Sequence, residues 1–126
     1  MGQLNVILLH VGSGVLMVWG FAHLFPTRTV VRGFGDISRD NRLTITQTWV
    51  SEGMALVFIG LVAALTGFLE PAGSLSSAVR LASAGTLIVL AIWHWLTGSR
   101  TPVAPMKVCP FLLCSVALLY ALSVWL

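Results

Sequence analysis

Three ionisable residues, His23, Glu52 and His94, lie within or beside long apolar runs, in the stretches GFAHLFPT, WVSEGMALVF and IWHWLTGS. A carboxylate beside an imidazole is suited to proton transfer, because each group shifts the charge state of the other and histidine titrates near neutral pH. Two histidines on facing helices can also ligate a haem, and two histidines with a glutamate can hold a metal. Each of these chemistries requires a fold that brings the three residues together.

The composition of the chain is that of a membrane protein. Hydrophobic residues make up 57% of its 126 residues and charged residues only 9%, against about 25% charged residues in an average soluble domain. Four apolar segments of about 20 residues are each long enough to cross a bilayer as a helix. They cover approximately residues 4–25, 45–69, 78–98 and 106–126. We therefore predict an all-α protein in which residues 1–126 form a single integral membrane domain, a four-helix transmembrane bundle.

The basic residues predict how the bundle is oriented. Six of the seven lie in or beside the connections that follow segments one and three, and only Arg80 lies on the opposite side. By the positive-inside rule, both connections face the cytoplasm and both termini face outward. Arginines beside a membrane meet anionic headgroups, so membrane lipids explain the net charge of +3 without a nucleic-acid partner. We expect a multi-pass integral membrane protein.

This topology places several polar residues at one membrane level. Segments one and three end at the cytoplasmic face, and segment two begins there. Because ionisable groups among lipid chains are costly, we expect these side chains to face the bundle interior. The predicted ligand-binding residues, with the two arginines at the mouth of the pocket, are His23, Gln47, Glu52, His94, Arg28 and Arg100. The alternative is that each histidine simply hydrogen-bonds headgroups or water at the interface.

The histidines and cysteines limit the possible cofactors. His23 and His94 are placed to ligate one haem, whereas His10 lies near the opposite end and a second haem would lack ligands. Cys109 and Cys114 are five residues apart, about 140° around a helix, so we predict no disulfide between them. We interpret both cysteines as small apolar residues and assign no metal site. A quinone suits a pocket of this kind, and the haem is the alternative.

Small residues in the segments predict helix packing. Gly53, Gly60 and Gly67 recur every seven residues and form one stripe, where another helix can approach closely. Gly85 of segment three is expected to take part in similar contacts. The stripe would hold the bundle together whatever its function, and it could also serve a dimer.

The connection over residues 26–44 is the longest polar stretch of the chain. Two glycines flank Phe34 and permit a tight turn. We predict either a solvated linker that binds headgroups or a lid that folds back over the polar cluster.

The stretch GFAHLFPT, at the end of the first segment of a four-span chain of this length, resembles the DoxX-like group of small bacterial membrane proteins. The residues that carry this resemblance are Gly20, His23 and Pro26. It implies a four-helix bundle in a bacterial inner membrane and, through some members of the group, a link to quinone or thiol redox systems. The stretches GFGDISRDNRL and WVSEGMALVFIG are also similar to a signature of a small bacterial family, but they suggest no activity.

The sequence supports three functional hypotheses. In the first, the polar pocket binds a hydrophobic molecule with a polar head, such as a quinone or a lipid, and one form of this hypothesis adds a redox role for that molecule. In the second, the chain is an accessory subunit of a larger membrane complex. In the third, it is a proton-coupled transporter that works as a homodimer around Glu52, although no inverted repeat supports this. No phosphate-binding loop, Ser-His-Asp series or zinc-protease motif is present, so whether the protein is an enzyme stays open.

Overall fold

A computed structural model describes residues 2–126, and every regular element in this part of the chain is a helix. The elements are α1 (Gln3–Leu24), α2 (Thr27–Arg32), α3 (Arg39–Leu69), α4 (Ser74–Leu96), a 3-10 turn (Gly98–Arg100) and α5 (Ala104–Trp125). The helices α1, α3, α4 and α5 are each long and apolar enough to cross a membrane. This confirms the predicted all-α, four-helix bundle.

The four long helices pack side by side in a ring, and the interface between α3 and α4 is smaller than the other three. α1 packs along α3 and α5, and α4 packs along α5, whereas α3 and α4 make the smallest contact. The connections 25–38 and 97–103 lie at one end of the bundle, which we call the basic end. The two ends of the described chain, residues 2 and 126, lie at the opposite end, which we call the terminal end. The side chains buried between the helices include Leu9, Leu16, Leu56, Leu87, Leu113 and Tyr120.

The predicted glycine stripe of α3 faces α1 along its whole length. A Cβ atom at Gly53 would lie 2.7 Å from the Gly20 carbonyl oxygen and 2.8 Å from the His23 Cβ. A Cβ at Gly60 or Gly67 would likewise come within 3 Å of atoms of α1. Only glycine allows this separation between the two backbones. One of these close approaches, between Gly53 and the backbone of Gly20, lies beside His23, at the level of the predicted site.

Two helices differ from their predicted segments. α3 begins at Arg39 rather than at residue 45, because the Ser38 hydroxyl accepts a 3.1 Å hydrogen bond from the backbone N–H of Asn41 and caps the helix. α4 begins at Ser74 rather than at residue 78. The prediction that Gly85 packs against another helix is wrong, because a Cβ there would meet nothing within 4 Å.

Arg80 is fully buried near the terminal end, opposite the end at which the other six basic residues lie. Its Nε donates to the Thr66 hydroxyl at 2.9 Å, and its two Nη atoms donate to the carbonyl oxygens of Thr66, Pro71 and Ser123. These acceptors lie at or just beyond the carboxyl ends of α3 and α5, where helices carry partial negative charge. Among the described residues no carboxylate pairs with Arg80. The guanidinium thus joins three helices through neutral acceptors.

Candidate functional site

His23 lies in the last turn of α1 and is held from both sides. Its Nδ1 is 2.8 Å from the Trp19 carbonyl oxygen, and its ring centroid lies 4.9 Å from that of Trp49. The backbone carbonyl of His23 accepts hydrogen bonds from the Trp49 indole at 2.7 Å and from the Thr27 hydroxyl at 2.9 Å. Because a carbonyl oxygen only accepts, Nδ1 must carry a proton, and in the neutral ring Nε2 keeps its lone pair.

Glu52 of α3 faces both site histidines with one oxygen. Its Oε1 lies 3.9 Å from His23 Nε2 and 2.8 Å from His94 Nε2. The contact with His94 is an ion-pair distance, yet Oε1 has no hydrogen bond of good geometry among the described residues. The structure therefore brings three predicted residues together around a carboxylate oxygen that still lacks a well-directed donor.

Cys109 of α5 belongs to the same cluster, which the sequence interpretation missed. Its thiol sulfur, a His23 nitrogen and a Glu52 oxygen all lie within 4.8 Å of one another. Cys109 is buried and Cys114 is exposed, and both are free thiols, as predicted. The one signal available in the sequence was depth, because Cys109 lies within two turns of the basic end, as His23 does.

A cavity of about 220 Å³ opens from this cluster toward the basic end. Its lining includes the four residues of the cluster, which are His23, Glu52, His94 and Cys109. Most of its other lining residues are apolar. The other lining residues are Phe34, Thr44, Ile45, Thr48, Trp49, Pro105 and Met106. The site thus has polar side chains at its inner end and mainly apolar side chains along its wall. This is the usual composition of a pocket that binds a small molecule.

A second opening reaches the carboxylate of Glu52 between α3 and α4, where the contact between neighbouring helices is smallest. This groove of about 660 Å³ is lined by Gln47, Glu52 and His94, among others. Gln47 therefore borders the groove and not the cavity. Arg28 and Arg100 are exposed at the basic end and line neither space. Their predicted place at the mouth of the pocket stays a prediction.

Phe34 forms one wall of the cavity from the connection between α2 and α3. The chain turns there through Gly35, whose φ of +72° lies in the left-handed region that favours glycine. The connection that was predicted to be a linker or a lid therefore contributes a side chain to the pocket.

The arrangement is suited to some chemistries and not to others. A carboxylate between two imidazoles can exchange protons with either ring. A haem between His23 and His94 does not fit, because both Nε2 atoms face the same oxygen of Glu52, which stands where the iron and its porphyrin would need space.

Comparison of the chain with protein-family models, with curated proteins and with solved structures finds no match. The resemblance to DoxX-like proteins stays a prediction, as do the accessory-subunit and transporter hypotheses.

Proposed function

We propose that this protein binds a hydrophobic molecule with a hydrogen-bonding head, of the quinol or lipid class, in the cavity at the basic end. The observation that carries the proposal is Glu52 Oε1, a buried oxygen at the inner end of an otherwise mainly apolar pocket. His94 Nε2 lies 2.8 Å from this oxygen but is not aligned as a hydrogen-bond donor to it, so the contact leaves room for a second, better-directed donor. A buried acceptor of this kind is costly unless a partner satisfies it. A hydroxyl or ammonium head would supply that second donor.

The neighbouring groups suit the same kind of head. His23 Nε2 presents a second lone pair 3.9 Å from Glu52 Oε1, so two acceptors converge on one point. His94 Nε2 lies 2.8 Å from the same oxygen and can hold the carboxylate in place. A head with donors is favoured over one that only accepts, because hydrogen bonds to a charged acceptor are the stronger kind.

The route into the site also suits a membrane-dissolved molecule. The groove between α3 and α4 leads from the side of the bundle to Glu52 and His94. A lipid or quinol could enter there directly from the bilayer. In this proposal the protein lies in a bacterial inner membrane, with the basic end and its arginines at the cytoplasmic headgroups.

Replacement of Glu52 by glutamine tests the role of the carboxylate. We expect Glu52→Gln to weaken retention of the bound molecule about tenfold or more, because a hydrogen bond to a charged group is replaced by one to a neutral amide. His94→Ala should weaken retention as well, through loss of the group beside the carboxylate. The measurement is native mass spectrometry of protein extracted gently from its own membrane.

Two variants at the other end of the bundle serve as controls. Glu70→Gln removes a carboxylate that is exposed, and His10→Ala removes an imidazole that packs against Phe68. Both should retain the molecule as the unmodified protein does. Unchanged retention in Glu52→Gln and His94→Ala, or an unmodified protein that carries no small molecule, would contradict the proposal.

Phe34→Ala tests whether the connection after α2 closes the pocket. Removing this partly buried ring should raise the dissociation rate of the bound molecule about tenfold, because about 1–2 kcal/mol of apolar contact is lost. The half-life of the complex during dilution into detergent measures the effect. Phe25→Ala, at the same end but almost fully exposed, is the matched control. Equal half-lives for the two variants would rule out a lid at Phe34.

A further inference from the structure

We infer that His23, Glu52 and Cys109 form a binding site for one divalent transition-metal ion of the zinc class. The three residues come from α1, α3 and α5, and their ligand atoms all lie within 4.8 Å of one another. This inference goes beyond the proposed function and does not depend on it. The metal would bind the same Glu52 oxygen and His23 nitrogen to which the proposed function assigns the polar head, so the ion and the organic molecule are alternative occupants of these atoms and are tested separately.

The spacing of the ligand atoms is close to what a metal requires. Bonds of about 2.0–2.3 Å in a tetrahedral zinc site place neighbouring ligand atoms roughly 3.3–3.8 Å apart. His23 Nε2 and Glu52 Oε1 are 3.9 Å apart. This is too long for a direct hydrogen bond between them and close to the separation of two atoms that share an ion. Small side-chain rotations would bring the sulfur of Cys109 into the same sphere.

The protonation of His23 supports the same conclusion. Its Nδ1–H donates to the Trp19 carbonyl oxygen at 2.8 Å, so in the neutral ring Nε2 faces Glu52 with a lone pair. Two acceptors that face each other repel unless a cation or a donor lies between them. A backbone carbonyl on the second ring nitrogen is the common arrangement of metal-binding histidines, since it fixes the tautomer and the ring orientation.

The other two ligands also have supporting groups. His94 Nε2 lies 2.8 Å from Glu52 Oε1 and orients the carboxylate, so we treat His94 as a positioning residue. The indole N–H of Trp19 is buried beside the Cys109 thiol and has no well-directed acceptor among the described residues. A metal-bound thiolate would be a better acceptor for this N–H than a thiol.

The donor set selects the class of metal. One nitrogen, one oxygen and one sulfur suit zinc and cobalt, whereas magnesium and calcium prefer oxygen ligands alone. Three protein ligands leave a fourth position, which faces the cavity, as in zinc sites that bind a further molecule. Burial of Cys109 also shields the sulfur from solvent-borne oxidants.

The test is a titration of chelator-treated protein in detergent, first with Co²⁺ and then with Zn²⁺ in competition. We expect one Co²⁺ per chain and the near-ultraviolet charge-transfer band of a cobalt–thiolate bond. Cys109→Ser should abolish this band and weaken Zn²⁺ binding about 100-fold or more, since a direct ligand matters at least as much as a supporting group. His94→Ala should keep the band but weaken binding about 10–100-fold.

Cys114→Ser is the matched control, because Cys114 lies on the same helix with its side chain exposed. It should leave the band and the affinity unchanged. The inference is overturned if the unmodified protein shows no thiolate band, or if Cys114→Ser loses the band as Cys109→Ser does. His23→Gln provides a second ligand variant, and circular dichroism confirms that each variant remains helical.

These experiments can contradict either of the two proposals without contradicting the other. The metal titration uses protein from which organic molecules have been removed, whereas retention of the organic molecule is measured by native mass spectrometry after chelation. A protein that binds Co²⁺ but carries no organic molecule contradicts only the proposed function. One that retains the molecule and shows no thiolate band contradicts only the metal site.

Discussion

Arg80→Ala is expected to lower the free energy of unfolding by about 3–5 kcal/mol. The guanidinium is fully buried and donates to Thr66, Pro71 and Ser123. Alanine would leave a cavity and would leave carbonyl oxygens without their donor in an apolar environment. Equilibrium unfolding in mixed detergent micelles, followed by circular dichroism, measures the loss.

Two further variants separate the causes of this loss. Arg80→Lys keeps the positive charge near the carboxyl ends of α3 and α5 but lacks the planar fork that reaches several acceptors, so its stability should lie between those of the unmodified protein and the alanine variant. Arg28→Ala removes an exposed arginine and should change stability by no more than about 0.5 kcal/mol. Equal effects of Arg80→Ala and Arg28→Ala would show that the buried hydrogen bonds do not stabilise the bundle.

Gly53→Ala is expected to destabilise the bundle by about 1–3 kcal/mol and to disrupt the site as well. The added methyl group would meet the Gly20 carbonyl oxygen at 2.7 Å and the His23 Cβ at 2.8 Å. Neither is the flexible end of a side chain, so α1 and α3 must separate. His23 would then move away from Glu52, and both Co²⁺ binding and retention of the organic molecule should fall with stability.

Gly14→Ala is the control for this prediction, since a Cβ at Gly14 meets nothing within 4 Å. Alanine favours helix over glycine by up to about 1 kcal/mol, so this variant should be neutral or slightly more stable. The same helix propensity acts at Gly53, and the difference between the two variants therefore isolates the close approach. If both variants behave alike, the contact between α1 and α3 does not depend on glycine.

The membrane depth of the site could be predicted from the sequence, because depth follows from position along a helix. His23 and His94 end their spans at the same face, and Glu52 lies in the span that starts from that face. The structure places both histidines within 4 Å of one carboxylate oxygen of Glu52. Their roles in binding stay predictions.

The direction in which each residue points could not be predicted in the same way. In a soluble helix the polar face shows which side is outward. Here the outward faces are as apolar as the core, with Val18, Phe58, Val89 and Phe111 all exposed. Apolar residues on every side leave no pattern from which to tell that Cys109 points inward and Cys114 outward.

The amino-acid sequence by itself therefore determined the class of the protein, the number and approximate limits of its spans, the glycine stripe on α3 and the common end at which its ionisable residues lie. These follow from hydropathy and from the fixed rise of a helix. Only the tertiary structure decided that Cys109 joins His23 and Glu52, that Arg80 is fully buried, and that Arg28 and Arg100 do not line the cavity. The physical reason is that these facts depend on how each helix is rotated about its axis, and contacts between helices set that rotation.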